Sequence, residues 1–119
     1  MESDGGGRHI ELVRISRCEA VARVGSLLRI EMEGTVRALV DLFDVVVWGQ
    51  VGDNEMAVPD HLGSIGAGTT KDFFVQDLMD PDLIQEGDRC SIRVEYRYRT
   101  SSGLGQREAT AVFESGPMR

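Results

Sequence analysis

Four groups of residues in this chain are of types that do chemistry. The first is an acidic run: Asp77, Asp80, Asp82, Glu86 and Asp88 follow one another with no Lys or Arg between them. Calcium takes several carboxylate and carbonyl oxygens from a flexible loop, so Asp77, Asp80 and Asp82 are candidate metal ligands. The spacing is not that of an EF-hand, and a solvated acidic loop is the ordinary reading. The second group is Gly63-Ser-Ile-Gly-Ala-Gly68-Thr-Thr-Lys71. A phosphate-binding loop needs a lysine directly after its last glycine, and an apolar strand before it and a helix after it. Here Thr69 stands where the lysine must be, Lys71 comes two residues late, and the next segment reads as a strand, so a structural turn is expected. The third is the pair His9 and His61 with Cys18 and Cys90. No nucleophile elbow is present and neither cysteine has a histidine nearby in sequence, so no Ser/His/Asp or Cys/His site is expected.

The fourth group is a surface rather than a centre. Arg93, Arg97 and Arg99 fall on one side of an alternating segment whose only acid is Glu95. They form a basic stripe that suits an acidic partner, unless Glu31, Glu33 or Glu108 of neighbouring strands pair with them. Trp48, with Val46, lies opposite Phe43, Val45 and Val47 and is expected in the core; the alternative is an exposed anchor sharing an apolar patch with Phe74.

Composition limits these options. The chain has 119 residues, 41% of them hydrophobic, with 20 acids against 13 Lys and Arg and a net charge of -7. That length holds one domain and leaves little room for a cofactor-binding fold, so no cofactor is expected. The acidity argues against general nucleic-acid binding, and no apolar run approaches a membrane span. The first residues, MESDGGGRHI, lack a signal peptide's basic and apolar regions. A cytoplasmic protein is expected, or a module of an exported one if the chain is a piece of something longer. Cys18 and Cys90 lack zinc spacing; two buried thiols are the leading reading and a disulfide the alternative.

The elements that must position these residues are strands. Cys90, Ile92, Val94, Tyr96 and Tyr98 alternate with Ser91, Arg93, Glu95, Arg97 and Arg99, the period-2 pattern of a half-buried strand. Leu28, Ile30 and Met32 alternate in the same way, as do Phe73 and Val75, and Ala109, Ala111 and Phe113. In HIELVRIS the apolar phase slips from Ile10 and Leu12 to Val13 and Ile15, as a bulge or a change of sheet requires. Turn residues separate the runs at Val24-Gly25-Ser26, Gly52-Asp53-Asn54, Gly63 to Gly68, Glu86-Gly87-Asp88 and Ser101 to Gly105. One helical turn is expected at Pro81-Asp82-Leu83-Ile84. Val36, Leu39, Val40 and Phe43 have helical spacing, so an α+β fold with one short helix near 35–43 is the alternative.

The order of these signals resembles a family. Gly25-Ser26 followed by LLRIEMEGTV, then FDVVVWG, then HLGSIGAGTTKDFFVQD, an EGD turn, SIRVEYRY and ATAVFE resembles the CARDB-like domains of archaeal and bacterial surface proteins over residues 10–114. Glu33 stands before Gly34 where that family has asparagine, and residues 35–41 are more apolar than its loop. The resemblance implies an immunoglobulin-like sandwich that serves as a non-catalytic spacer, adhesion unit or accessory binding domain.

The fold expected is therefore an all-β, about seven-stranded antiparallel immunoglobulin-like sandwich at 9–115, between tails at 1–8 and 116–119. Its expected core is Leu28, Ile30, Met32, Phe43, Val45, Val47, Phe73, Val75, Ile92, Val94, Tyr96, Ala111 and Phe113. The expected function is a non-enzymatic interaction module that binds a protein partner or a second copy through a sheet face or edge strand. Its interaction surface is Trp48, Phe74, Arg93, Arg97 and Arg99. The alternative is an accessory domain that binds calcium or carbohydrate.

Overall fold

β-branched and aromatic residues in strict alternation build this molecule, because such side chains pack well on a pleated, half-buried surface. The structure is a computed structural model that describes residues 9–85, 87–101 and 103–117, with side chains described for all of these except 103–109 and 111–117. The strands are β1 (Ile10–Val24), β2 (Leu27–Ala38), β3 (Leu42–Val51), β4 (Asn54–Glu55), β5 (Asp60–Ile65), β6 (Thr70–Met79), β7 (Arg89–Thr100) and β8 (Gly103–Pro117). All pairings are antiparallel. One sheet has the order β1-β2-β6; the other runs β4-β3-β7-β8, with β5 also paired to β3. We call them sheet A and sheet B. This is an all-β sandwich with the strand distribution of an immunoglobulin-like domain. No helix among the described residues is long and apolar enough to cross a membrane.

The core lies between the sheets. Sheet A sends in Ile30, Met32, Val36, Phe73 and Val75, and sheet B sends in Leu42, Val45, Val47, Ile92, Val94 and Tyr96. The expected core is thus observed with two changes. Leu28 is half-buried at its rim. Phe43 faces outward, because β3 carries one extra residue between Phe43 and Val46 relative to Arg97 and Glu95 of β7. Ala111 and Phe113 have side chains outside the described residues. Asp44, at φ 52, supplies the left-handed turn of that bulge.

The phase slip in the first strand is also a bulge feature: the β1–β2 register shifts between Leu12 and Arg14, Ile15 and Arg17, and Ala20 and Ala22. The helix near 35–43 is not formed. β2 runs on to Ala38, paired on both sides, to β1 at Ile10 and to β6 at Lys71 and Thr70. Two ladders claim the backbone groups that a helix needs, and the chain then bends at Leu39 and Val40. The short turn at Pro81–Leu83 is a 3-10 helix capped by the Asp80 side chain. Gly63, expected in a turn, lies inside β5; the turn itself comes after Ile65.

The reading of two free thiols is overturned. Cys18 of β1 and Cys90 of β7 form a disulfide that bridges the sheets, with Cα atoms 6.7 Å apart. Both face inward from strands that pack across the core, which no spacing along the chain reveals.

Within sheet A, Gly34 lies directly opposite Phe73. A Cβ on Gly34 would sit 2.6 Å from the Phe73 ring and closer still to the Arg14 carbonyl oxygen. The ring occupies the space a side chain would take, so glycine is required. Overpacking of a tight core costs about 1–3 kcal/mol. Gly34→Ala is expected to lower stability by that amount in urea unfolding, with the slope of the transition unchanged.

Candidate functional site: the outer face of sheet B

Because Val45, Val47 and Val51 point inward, Phe43, Val46, Trp48 and Gln50 must point out. The same alternation turns Arg93, Glu95, Arg97 and Arg99 of β7 to that side. β3 and β7 are neighbours, with Trp48 opposite Arg93 and Phe43 opposite Arg97. Two aromatics and three arginines thereby share one face.

Arg93 is its centre. Its guanidinium lies 5.3 Å from the Trp48 ring centroid, within cation–π range. Its Nε donates to one oxygen of Glu55 at 2.7 Å and an Nη donates to the other at 3.1 Å. The second Nη donates to Glu95. The hydrogen bonds that Arg93 donates to Glu55, foremost, raise its pKa above the ordinary value against the opposing effect of burial, and the bond donated to Glu95 adds to the rise. A second pair repeats the chemistry, with the Arg99 guanidinium 5.4 Å from the Phe43 ring centroid. An Arg97 nitrogen lies 3.7 Å from an oxygen of Asp44, the bulge residue. Ser91 donates to Gln50 at 3.1 Å and closes one end of the face.

Trp48 is half-buried under Arg93 and lies outside the core, which corrects the core expectation. Its indole Nε1 is shielded from solvent and has no hydrogen-bond partner among the described residues. Most buried donors are paired, so an unpaired one marks a place where packing against something else has overridden satisfaction.

Four of the five residues expected to interact are therefore together: Trp48, Arg93, Arg97 and Arg99. Phe74 is not with them. It is exposed on β6, in sheet A, because alternation fixes a side chain's face but not its sheet. The arginines find acids, but Glu31 and Glu33 are not among them. Glu31 and Glu33 sit on sheet A, engaged with Arg17, while Arg93 and Arg97 take Glu55, Glu95 and Asp44. Glu108 is opposite Arg97 in register, and its side chain is outside the described residues. Glu55 was missed in the sequence. Its signal is the Gly52-Asp53 turn, which folds β4 back so that Glu55 pairs with Gln50 beside Trp48.

The other chemical groups are used structurally. Asp77 accepts from Ala57 N at 2.7 Å and from Leu78 N at 2.8 Å. Asp80 accepts from Asp82 N, and Asp88 from Gln85 N. Glu86 lies outside the described residues. Among the described residues, no three of His, Cys, Asp and Glu converge as metal ligands. In the glycine-rich turn, Ala67 N donates to the Asp41 carboxylate at 2.8 Å, a charge that repels phosphate, and Gly68 N donates to Ala38 O. His9 stacks on Tyr98 with ring centroids 4.0 Å apart, and its Nδ1 is 3.0 Å from the Tyr96 hydroxyl. His61 is exposed on β5. On sheet A, an open groove of about 410 Å³ runs between Val24, Arg29, Val58, Gln76, Asp77 and Leu78.

No known family's sequence profile matches the chain, and neither a curated protein nor a solved structure matches it.

Two outcomes follow from this geometry. Trp48→Phe removes an unpaired donor together with part of an outward ring, so it is expected to change stability by less than about 1 kcal/mol in chemical denaturation, whereas Phe73→Ala, in the core, costs about 3–5 kcal/mol. Asp77, Asp80 and Asp88 of the acidic run already spend carboxylate oxygens on backbone N–H groups. Calcium at millimolar concentration is expected to leave the melting midpoint where a chelator leaves it, because only a ligand that binds the native state raises it.

Proposed function

We propose that this chain is a non-enzymatic protein-interaction module whose recognition surface is the outer face of sheet B. The observation that carries the reading is Trp48, an outward tryptophan clamped under Arg93 with its indole N–H unpaired. Tryptophan and arginine are the residues that most often dominate binding energy at protein interfaces. The family resemblance over residues 10–114, to CARDB-like modules of surface proteins, supports the same reading.

The occupant we favour is a second copy of the chain. The molecule carries -7 overall, so two copies repel each other over most approaches. Around the two aromatics of this face three arginines, Arg93, Arg97 and Arg99, stand against three described carboxylates, Asp44, Glu55 and Glu95. Opposed copies of such a face can exchange partners, arginine of one to carboxylate of the other, around two tryptophans. The Cys18–Cys90 disulfide suits such a module to an oxidising compartment.

Sedimentation equilibrium over a wide concentration range tests this. A reversible dimer is expected, tighter at high salt because screening removes the long-range repulsion, and lost in Trp48→Ala and in Arg93→Ala. A chain that remains monomeric at the highest concentration in both low and high salt overturns the self-association, as does a dimer indifferent to both substitutions.

A further inference from the structure

β1 is an edge strand, joined within its sheet to β2 alone. A strand that covers a core sinks every second side chain. Of the fifteen residues of β1, only Ile10 and Cys18 are buried, and Val13, Val21 and Val24 are exposed. Three register shifts interrupt its ladder. Leu12 and Ile15 pack only partly buried against the core, so β1 is fastened firmly across the sandwich at two places. One is its start, where Ile10 enters the core beside His9 and Tyr96. The other is covalent, the disulfide to Cys90. β2 is built differently: it buries Ile30, Met32, Gly34, Val36 and Ala38 and pairs with β6 on its far side, so it keeps its place without β1.

We propose that reduction of Cys18–Cys90 frees β1, and that the freed strand pairs with β2 of a second copy to give a strand-exchanged dimer. The reductant is a dithiol. Its thiolate attacks Cys18 Sγ, at the more exposed of the two cysteines (8% against 1%), and Cys90 leaves as thiolate. The second thiol of the reductant then displaces Cys18. The protein gains two electrons and two protons as a pair of thiols, and the dithiol becomes a disulfide.

Without β1, the β2 edge presents unpaired N–H and C=O groups, a template for another strand. The segment whose side chains already match that edge is β1 of another copy. The hinge is the two-residue turn Gly25-Ser26, where Gly25 has φ 62 and no atom within 4 Å of a Cβ position. Glycine adopts the tight turn and the extended chain with equal ease, so the hairpin opens into one long strand without a clash. Exchange of identical elements through such a hinge keeps every native contact. The proposal is independent of the sheet B face.

The test uses the intact chain. The oxidised protein is held at high concentration with dithiothreitol, then reoxidised after the reductant is removed. In an exchanged dimer Cys18 of one copy lies beside Cys90 of the other, so a covalent dimer is expected on non-reducing gels, and Trp48→Ala is expected to leave it intact. Hydrogen exchange under reduction is expected to speed about tenfold or more in residues 10–24 while β3 and β7 stay protected. Cys18→Ser/Cys90→Ser is expected to dimerise without reductant; if it does not fold, the wild-type chain carries the test alone. Reoxidation to monomer only, or loss of protection throughout the molecule on reduction, overturns the proposal.

Discussion

The parity of β3 is the constraint on which the rest of the structure depends. A strand offers two faces, and a slip of one residue exchanges them. β3 must place Val45, Val47 and Val51 against the core, yet it enters the sheet with Leu42 also buried. An unbroken alternation cannot do both, since Leu42 and Val45 differ in parity. The extra residue at the bulge, with Asp44 at φ 52, reconciles them. Its consequence reaches the surface. Phe43 is turned out to meet Arg99, and the bulge carboxylate is set beside Arg97. The aromatic and arginine face of sheet B is thus a by-product of how β3 fits the core.

A second constraint is the open edge of sheet A at β6. Outward backbone groups of an edge strand invite pairing. Here aspartates occupy them: Asp60 accepts from Phe74 N at 2.9 Å, and Asp77 accepts from Leu78 N while its other oxygen ties down Ala57 N. Part of the acidic run is therefore edge protection. β1, at the opposite edge, is guarded by bulges and a disulfide instead. Bulges discourage pairing by misaligning the ladder, but they also weaken the strand's hold on its own neighbour.

Much of the fold is legible in the residues, because alternation is local. β2, β6 and β7 and most of their core positions follow from period 2, and the phase slip of Val13 and Ile15 marks the irregularity in β1. The turn at Pro81 is legible too, since Asp80 is a good cap and proline suits a first helical position. What was not legible depends on contacts between distant segments. Phe43 looked like a core residue because aspartate in a left-handed bulge has only a faint sequence signal. Phe74 looked like a neighbour of Trp48 because alternation does not say which sheet a strand joins. The disulfide spans 72 residues, and only the packing of β1 over β7 brings its halves together. The helical spacing of Val36 to Phe43 was real, but two flanking ladders outweighed it.

The two outer faces also differ in how they handle charge, and this separates their roles. On sheet A, Glu19 stands directly opposite Glu31, a repulsive cross-strand pair. Arg17 relieves it by donating to Glu19, Glu31 and Glu33 together, which raises its own pKa above the ordinary value. One guanidinium is thus shared by three carboxylates, with Arg29 also 3.5 Å from Glu31. On sheet B two arginines serve the three described carboxylates near the aromatics, Arg93 with Glu55 and Glu95 and Arg97 with Asp44, while Arg93 and Arg99 cover the rings. Exposed ion pairs of this kind contribute only about 0–1 kcal/mol each to folding, so stability gives little reason to gather three of them over Trp48 and Phe43. Their value lies in being exchangeable: a partner that brings its own carboxylates and arginines can replace the internal pairs at small cost and gain the covered aromatic surface.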